Sequence, residues 1–241
     1  MLNILLITGW GMGTAVLHPL KHALEQHDIQ VELIDIFPAQ KAEVLAQYIE
    51  KARGADVLMG WSLGGELAML LADAIYQQHG EAKPLITLAS NPSFVAHSHW
   101  HCAMPKETFQ TFQESFRRLP AQTLKRFIAL VAMGSASAKE QQKMLQQLQD
   151  QPDHQLLQDG LELLAQLNLV EKLEHYQGAQ LHLYAEQDAL VPHQIVAKMQ
   201  KLPAKNLQVK VLKQAAHSFP CFETDWTVQQ ILAFCADWQK N

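Results

Sequence analysis

Six short apolar runs, separated by stretches with helical periodicity, constrain this chain more than any other feature. "NILLIT" (residues 3–8), "VELIDI" (31–36), "ADVLMG" (55–60), "PLITLAS" (84–90), "LHLYAE" (181–186) and "LQVKVL" (207–212) each read as a buried strand. Amphipathic segments such as 41–52 and 65–78 lie between them. Parallel strands need a crossover, and that crossover covers a face of the sheet. Strand and helix in alternation therefore predict an α/β fold, a mostly parallel sheet with helices on both faces. The alternation breaks once. Residues 94–177 carry no strand signal but helix-like segments at 105–118, 120–133, 138–149 and 153–167, bounded by Pro105, Pro120, Gly134 and Pro152. The expected organisation is a core of residues 1–93 and 178–241 with a helical cap, 94–177, inserted into it. The Gln-rich stretch 140–158 reads as polar helix surface.

Bulk properties narrow the class. A chain of 241 residues, 48% of them hydrophobic, can bury a substantial core and needs no disulfides to support it. A net charge of -5 argues against a general nucleic-acid binder. Cys102, Cys221 and Cys235 are odd in number and lack metal-like spacing, which suits small buried thiols in a reducing cytosol. No apolar run approaches the roughly 20 residues of a membrane span. The apolar start, residues 1–7, has no basic region before it and runs into a glycine turn, so it reads as a first strand and not as a secretory signal. The expectation is a cytoplasmic monomer with no nucleic-acid or membrane partner, no metal and no cofactor.

Gly60-Trp61-Ser62-Leu63-Gly64 fits G-x-S-x-G, directly after a strand and before an Ala- and Leu-rich helix. That context is a nucleophile elbow. A sharp strand-to-helix turn lifts the hydroxyl out of the sheet, and small residues must flank it. Serine needs a base, and the base an acid to orient it. In this architecture the acid follows a late strand and the histidine follows the last. Asp188, in a turn closed by Pro192, and His217 occupy those places; Glu186 is the rival acid. The histidines of "HSHWH" (97–101) suggest a metal cluster but lack a second ligand group, and read instead as a polar cap entrance.

"GWGMG" (9–13) admits two readings. Gly9 and Gly11 follow a strand, and Asp35 ends the next one, where a ribose-binding acid of a dinucleotide site would lie. Against this, Gly13 comes one position early, Thr14 stands where Gly or Ala is needed, and bulky Trp10 sits inside the turn. An acyl-transfer serine itself demands two backbone N–H donors for the developing oxyanion. One comes from the residue after the nucleophile, Leu63, and the other from the loop after an early strand, here Trp10. The oxyanion reading needs nothing that Ser62 does not already require.

"GWGMG", "GWSLGG", "LASNPSF", "RFIALVAMG", "DALVP" and "AAHSFP", in this order, resemble the α/β-hydrolase esterases of biotin synthesis, which hydrolyse the methyl ester of pimeloyl-acyl carrier protein. The resemblance runs from Asn3 almost to the C-terminus. It implies a Ser62/Asp188/His217 triad, an oxyanion hole of Trp10 and Leu63, and a helical cap inserted after the family's sixth strand. It further implies substrate contacts from Trp10, Phe127, Ile128, Ala129, Leu130 and Val131. Arg126, Lys139 and Lys143 match arginines that bind the acidic carrier protein in that family, and Gln122 stands where another arginine is usual. Thr8 replaces the histidine that usually precedes the loop. By the same comparison the chain begins at the family's third strand, with the first hairpin missing and the 35–56 segment shortened. The implied function is hydrolysis of a carrier-linked methyl ester through an acyl-enzyme. The rivals are a general short-acyl carboxylesterase with no carrier partner and a non-catalytic binding protein of hydrolase fold.

Overall fold

The computed structural model describes residues 1–149 and 153–239. Pro152 and the middle of the Gln-rich stretch lie outside them. Six strands form one sheet: β1 (Leu2–Ile7), β2 (Ile29–Ile34), β3 (Val57–Trp61), β4 (Leu85–Leu88), β5 (Gln180–Ala185) and β6 (Leu207–Leu212). Their order is β2-β1-β3-β4-β5-β6 and every pairing is parallel. The interior strands β3, β4 and β5 are buried throughout, as strands covered on both faces must be. The edge strands keep partly exposed positions, among them Glu32 and Lys210, charges that discourage further strand pairing. Strand β4 is shorter than its apolar run because Ala89 takes a positive φ of 46° and ends the extended backbone.

Helices α1 (His18–Glu25), α2 (Ala42–Arg53) and α3 (Leu63–His79) make the first crossovers, and α9 (Ile195–Met199) lies between β5 and β6. The step from β1 to β2 runs one way along the sheet and the step from β2 to β3 runs back past β1. With right-handed crossovers this puts α1 on one face and α2 and α3 on the other. The packing agrees: α1 lies against α10 (Phe219–Phe222) and α11 (Thr224–Trp238), and α3 against α2.

Between β4 and β5 come α4 (Lys106–Arg118), α5 (Pro120–Ala132), α6 (Ala138–Leu148) and α7 (His154–Gln166), close to the segments expected from the sequence. Proline opens α5, and the Asp153 carboxylate caps α7 by accepting from the Gln155 N–H at 2.8 Å. The short α8 (Val170–His175) follows. It has one buried position, Leu173, too little periodicity to announce it.

This order creates a switch point. The chain leaves β1 in one direction and β3 in the other, and a crevice opens beyond the C-terminal ends of the two neighbouring strands. The glycine loop follows β1 there, and Ser62 follows β3.

Candidate active site

Strands β1 and β3 pair Ile7 with Gly60, so two residues further on Gly9 comes level with Ser62. A Cβ added to Gly9 would lie 3.2 Å from Ser62 Cβ. The loop therefore rests on the serine. Ser62 has φ 56° and ψ −123°, a strained conformation for a residue with a side chain. Its neighbours explain why the turn demands glycine. A Cβ on Gly60 would fall 2.0 Å from the Gly64 carbonyl oxygen, and one on Gly64 would fall 2.2 Å from that of Thr8. The serine N–H donates to Leu88 O at 2.9 Å, tying the elbow to β4.

Strands β5 and β6 pair Ala185 with Leu212 and send the next two loops to the same edge. Asp188 Oδ2 stands 2.8 Å from His217 Nδ1, and both side chains are about 1% exposed. The other oxygen, Oδ1, accepts from the Leu190 and Val191 N–H groups at 2.8 and 2.9 Å. These bonds fix the carboxylate and leave Oδ2 for the imidazole. Glu186 is exposed and turned away, accepting from the Gln214 N–H at 3.2 Å. With Nδ1 held as a donor, His217 Nε2 is an acceptor, and it is buried with no partner of its own. No hydrogen bond joins it to Ser62 Oγ, as is common before substrate arrives.

Of the two expected oxyanion donors, Leu63 directly follows Ser62 and Trp10 directly follows Gly9, the residue packed against Ser62 Cβ. Leu63 is the first residue of α3, where helix geometry leaves N–H groups without intrahelical acceptors. Among the described residues neither its N–H nor that of Trp10 has a main-chain acceptor. The Trp10 side chain runs the other way, into the helices. Its ring stands edge-on to Phe112, Phe116 and Phe127 at 5.6, 5.4 and 4.8 Å, and Nε1 donates to Leu157 O at 2.8 Å. Asp35, the acid of the dinucleotide reading, is taken by Thr8, whose hydroxyl donates to Oδ1 at 2.7 Å, and by the Ile36 N–H at 2.8 Å.

Beside Trp10 lies a small cavity with only apolar walls, among them Phe94, Phe112, Phe127, Leu130 and Leu190. Phe127 and Leu130 reach it together because i and i+3 share a helix face. Ile128, Ala129 and Val131 are not in its walls; Ile128 and Val131 are buried elsewhere in the core, and Ala129 is half-buried. Arg126 on α5 and Lys139 and Lys143 on α6 are exposed, as is Gln122. The "HSHWH" stretch is a tight reversal with mutual His97–Trp100 backbone bonds at 3.1 and 3.0 Å. His97 and His99 line a polar groove with Glu171, His175 and Lys198, away from the apolar cavity. Among the described residues no group of three metal-binding side chains gathers there or anywhere else.

Several contacts have no counterpart in the sequence reading. Trp61 Nε1 donates to the His217 carbonyl at 3.1 Å. Ser218 donates its N–H to Val131 O at 3.0 Å and its hydroxyl to Gln141 Oε1 at 2.7 Å. Gln149 Nε2 donates to Gly11 O at 2.6 Å. The Gln-rich helix is thus not polar surface all round. Gln141 is 6% exposed, because one side of α6 packs inward, against α5 and the loop of His217, whatever residues it carries there.

The model of the alpha/beta hydrolase family matches residues 5–230. The pimeloyl-[acyl-carrier protein] methyl ester esterase of Vibrio vulnificus (strain CMCP6) is 32% identical over 247 residues, covering 96% of this chain and 93% of its own. That of Vibrio cholerae serotype O1 is 30% identical over 245 residues with the same coverage. Among solved structures, an esterase from Exiguobacterium antarcticum superposes with a TM-score of 0.81 at 15% identity, over 97% of this chain and 91% of that one. A bromoperoxidase from Bacillus anthracis gives 0.82 at 15%, over 98% and 92%. Likeness at that identity speaks for the shared fold alone.

Proposed function

Since the chain belongs to the α/β-hydrolase family, we propose that it is a serine carboxylesterase acting on pimeloyl-acyl carrier protein methyl ester, the substrate in its relatives' name. The observation that carries the reading is the Asp188–His217 pair, which leaves an unpartnered imidazole nitrogen at the sheet edge that also holds the strained Ser62. Asp188 holds His217 in the tautomer with the proton on Nδ1. His217 Nε2 takes the proton of Ser62 as its oxygen attacks the ester carbonyl. The N–H groups of Trp10 and Leu63 receive the oxyanion, His217 protonates the departing methoxide to methanol, and water repeats the cycle to free the carboxylate. The chain's own side chains supply every proton transfer.

Helices α4–α7 act as a cap over this edge, residues 94–177 standing against a core of 1–93 and 178–241. The apolar cavity of Trp10, Phe127 and Leu130 suits a methylene chain, which needs no polar partner. Arg126, Lys139 and Lys143 offer cations to an acidic carrier, though lysine lacks the bidentate fork of arginine. The three cysteines are buried free thiols, which suits a reducing cytoplasm. The test is rescue of a biotin-requiring bacterium that lacks its own esterase. This chain restores growth without biotin and its Ser62→Ala variant does not. Failure to restore growth by a variant-sensitive, soluble esterase would leave a general carboxylesterase without a carrier partner.

A further inference from the structure

Helix α6 carries two opposed faces. Lys139 and Lys143, at i and i+4, share its solvent side. Gln141 and Leu145, four apart, mark the inner side, where Leu145 is fully buried, and Gln149 follows the last turn as the C-cap with extended backbone. The two glutamines end on different parts of the site described above. Gln141 Oε1 accepts the hydroxyl proton of Ser218, the residue after His217, at 2.7 Å. Its Nε2 donates to Ser137 Oγ at 3.2 Å, so the amide is held at both ends. Gln149 Nε2 donates to the carbonyl of Gly11, one residue beyond Trp10, at 2.6 Å. The helix and its C-cap residue thus brace the loop of the base and the loop of the oxyanion donor. A third contact tightens the same corner: a Cβ on Gly134, whose φ is +101°, would meet the carbonyl oxygen of Gln187 at 2.1 Å, next to Asp188.

We propose that Gln141 and Gln149 are positioning residues, through which α6 and its C-cap set the spacing of the His217 loop and the Gly9–Gly11 loop. The inference rests on the proposed esterase reading for its effect on turnover, but its structural content does not. Ser218 and Gln141 touch no reacting atom. Their loss is felt as misplacement of His217, and displacements of this kind cost rate and leave substrate affinity alone.

The test uses the full chain in five variants: Gln141→Ala, Ser218→Ala, their double mutant, Ser218→Thr, and Gln149→Ala. Turnover of p-nitrophenyl butyrate is read alongside the His217 ring N–H resonance by NMR. Gln141→Ala and Ser218→Ala are each expected to lower kcat about tenfold with KM changed less than about twofold. The double mutant should fall no further than either single, since both break one bond. Ser218→Thr, which keeps the hydroxyl, should retain most of the activity. Gln149→Ala should lower kcat with the His217 resonance unmoved, because it acts on the other loop. Single losses that multiply in the double mutant, or an unchanged kcat and resonance in folded Gln141→Ala, would overturn the proposal. If the wild type hydrolyses no ester yet Gln141→Ala still shifts the His217 resonance, the positioning stands and the esterase reading falls.

Discussion

The indole of Trp61, the residue before Ser62, donates from Nε1 to the main-chain carbonyl of His217 at 3.1 Å, and the two rings lie 5.6 Å apart. A side chain at the end of β3 therefore fixes the backbone of a loop that follows β6. The Trp61→Phe variant keeps the apolar ring and removes the donor. Its expected effect is a loss of about 1 kcal/mol in stability, one hydrogen bond's net worth, and a several-fold lower kcat. Urea denaturation together with ester turnover measures both. An unaltered kcat would mean that His217 does not depend on this bond.

Asp188 and Glu186 separate cleanly by substitution. Asp188→Asn should lower turnover on the order of 10⁴-fold, because the amide no longer holds the right imidazole tautomer. Glu186→Gln removes only an exposed charge, its amide oxygen still able to accept from the Gln214 N–H, and should stay within about twofold. Steady-state kinetics on any small ester decides. A larger loss in Glu186→Gln would move the acid to that residue.

Two buried groups give stability opposite dependences on pH. Burial holds the Glu66 carboxyl well above its ordinary range, offset only in part by the backbone N–H of Phe94. Above about pH 4.5 the unfolded chain releases this proton and the folded protein keeps it, so stability falls as pH rises. Glu66→Leu should accordingly raise the melting temperature more at pH 8 than at pH 5. A uniform gain would show that the carboxyl is ionised in the folded state.

His182 works the other way, its pKa lowered by burial from 6.5 to about 3 between Thr87 and Gln180. As pH drops below 6.5 the unfolded chain takes up a proton that the folded protein refuses. Stability should then fall by up to about 1.4 kcal/mol per pH unit. Denaturant melts of wild type and His182→Gln at pH 6.5 and 4.5 test this. The two curves should converge on acidification.

The charges on α6 are best tested by reversal. Lys139→Glu with Lys143→Glu should lower kcat/KM for a carrier-linked ester several-fold, and the loss should shrink at high salt as screening sets in over about 8 Å. Hydrolysis of a small free ester should hardly change. Equal losses on both substrates would point to a damaged cap, and no loss on either would return the lysines to ordinary surface.

The sheet, the elbow and the late loops were legible because each rests on local chemistry. Fully buried strands demand unbroken apolar runs, and the turn at Ser62 demands glycines at Gly60 and Gly64. The four long helices between β4 and β5 were equally plain from their periodicity and their proline breaks. The contacts between those helices and the site were not. Gln141 meets Ser218 across 77 positions of chain, and Gln149 meets Gly11 across 138. Nothing in a polar, helix-forming residue says which side of a helix will be turned inward. Trp61 was visible only as a bulky residue in the elbow, since its acceptor is a main-chain oxygen that any residue could supply. His97 and His99 line a polar groove, and the close spacing of the histidines at 97–101 has a local cause. Their spacing reflects a tight backbone reversal around the buried Trp100, whose Nε1 donates to Asn91 Oδ1 at 2.8 Å, and the groove they line lies apart from the apolar cavity.

Methanol release from pimeloyl-acyl carrier protein methyl ester, by the wild type and by Ser62→Ala at equal concentration, tests the assignment at its centre. The wild type should release one methanol per substrate. The variant, folded to the same melting temperature within a few degrees, should lose turnover by about 10⁶-fold, the scale on which removal of a triad serine acts. Comparable methanol release by Ser62→Ala would contradict the assignment of Ser62 as the nucleophile and, with it, the mechanism built on Asp188 and His217.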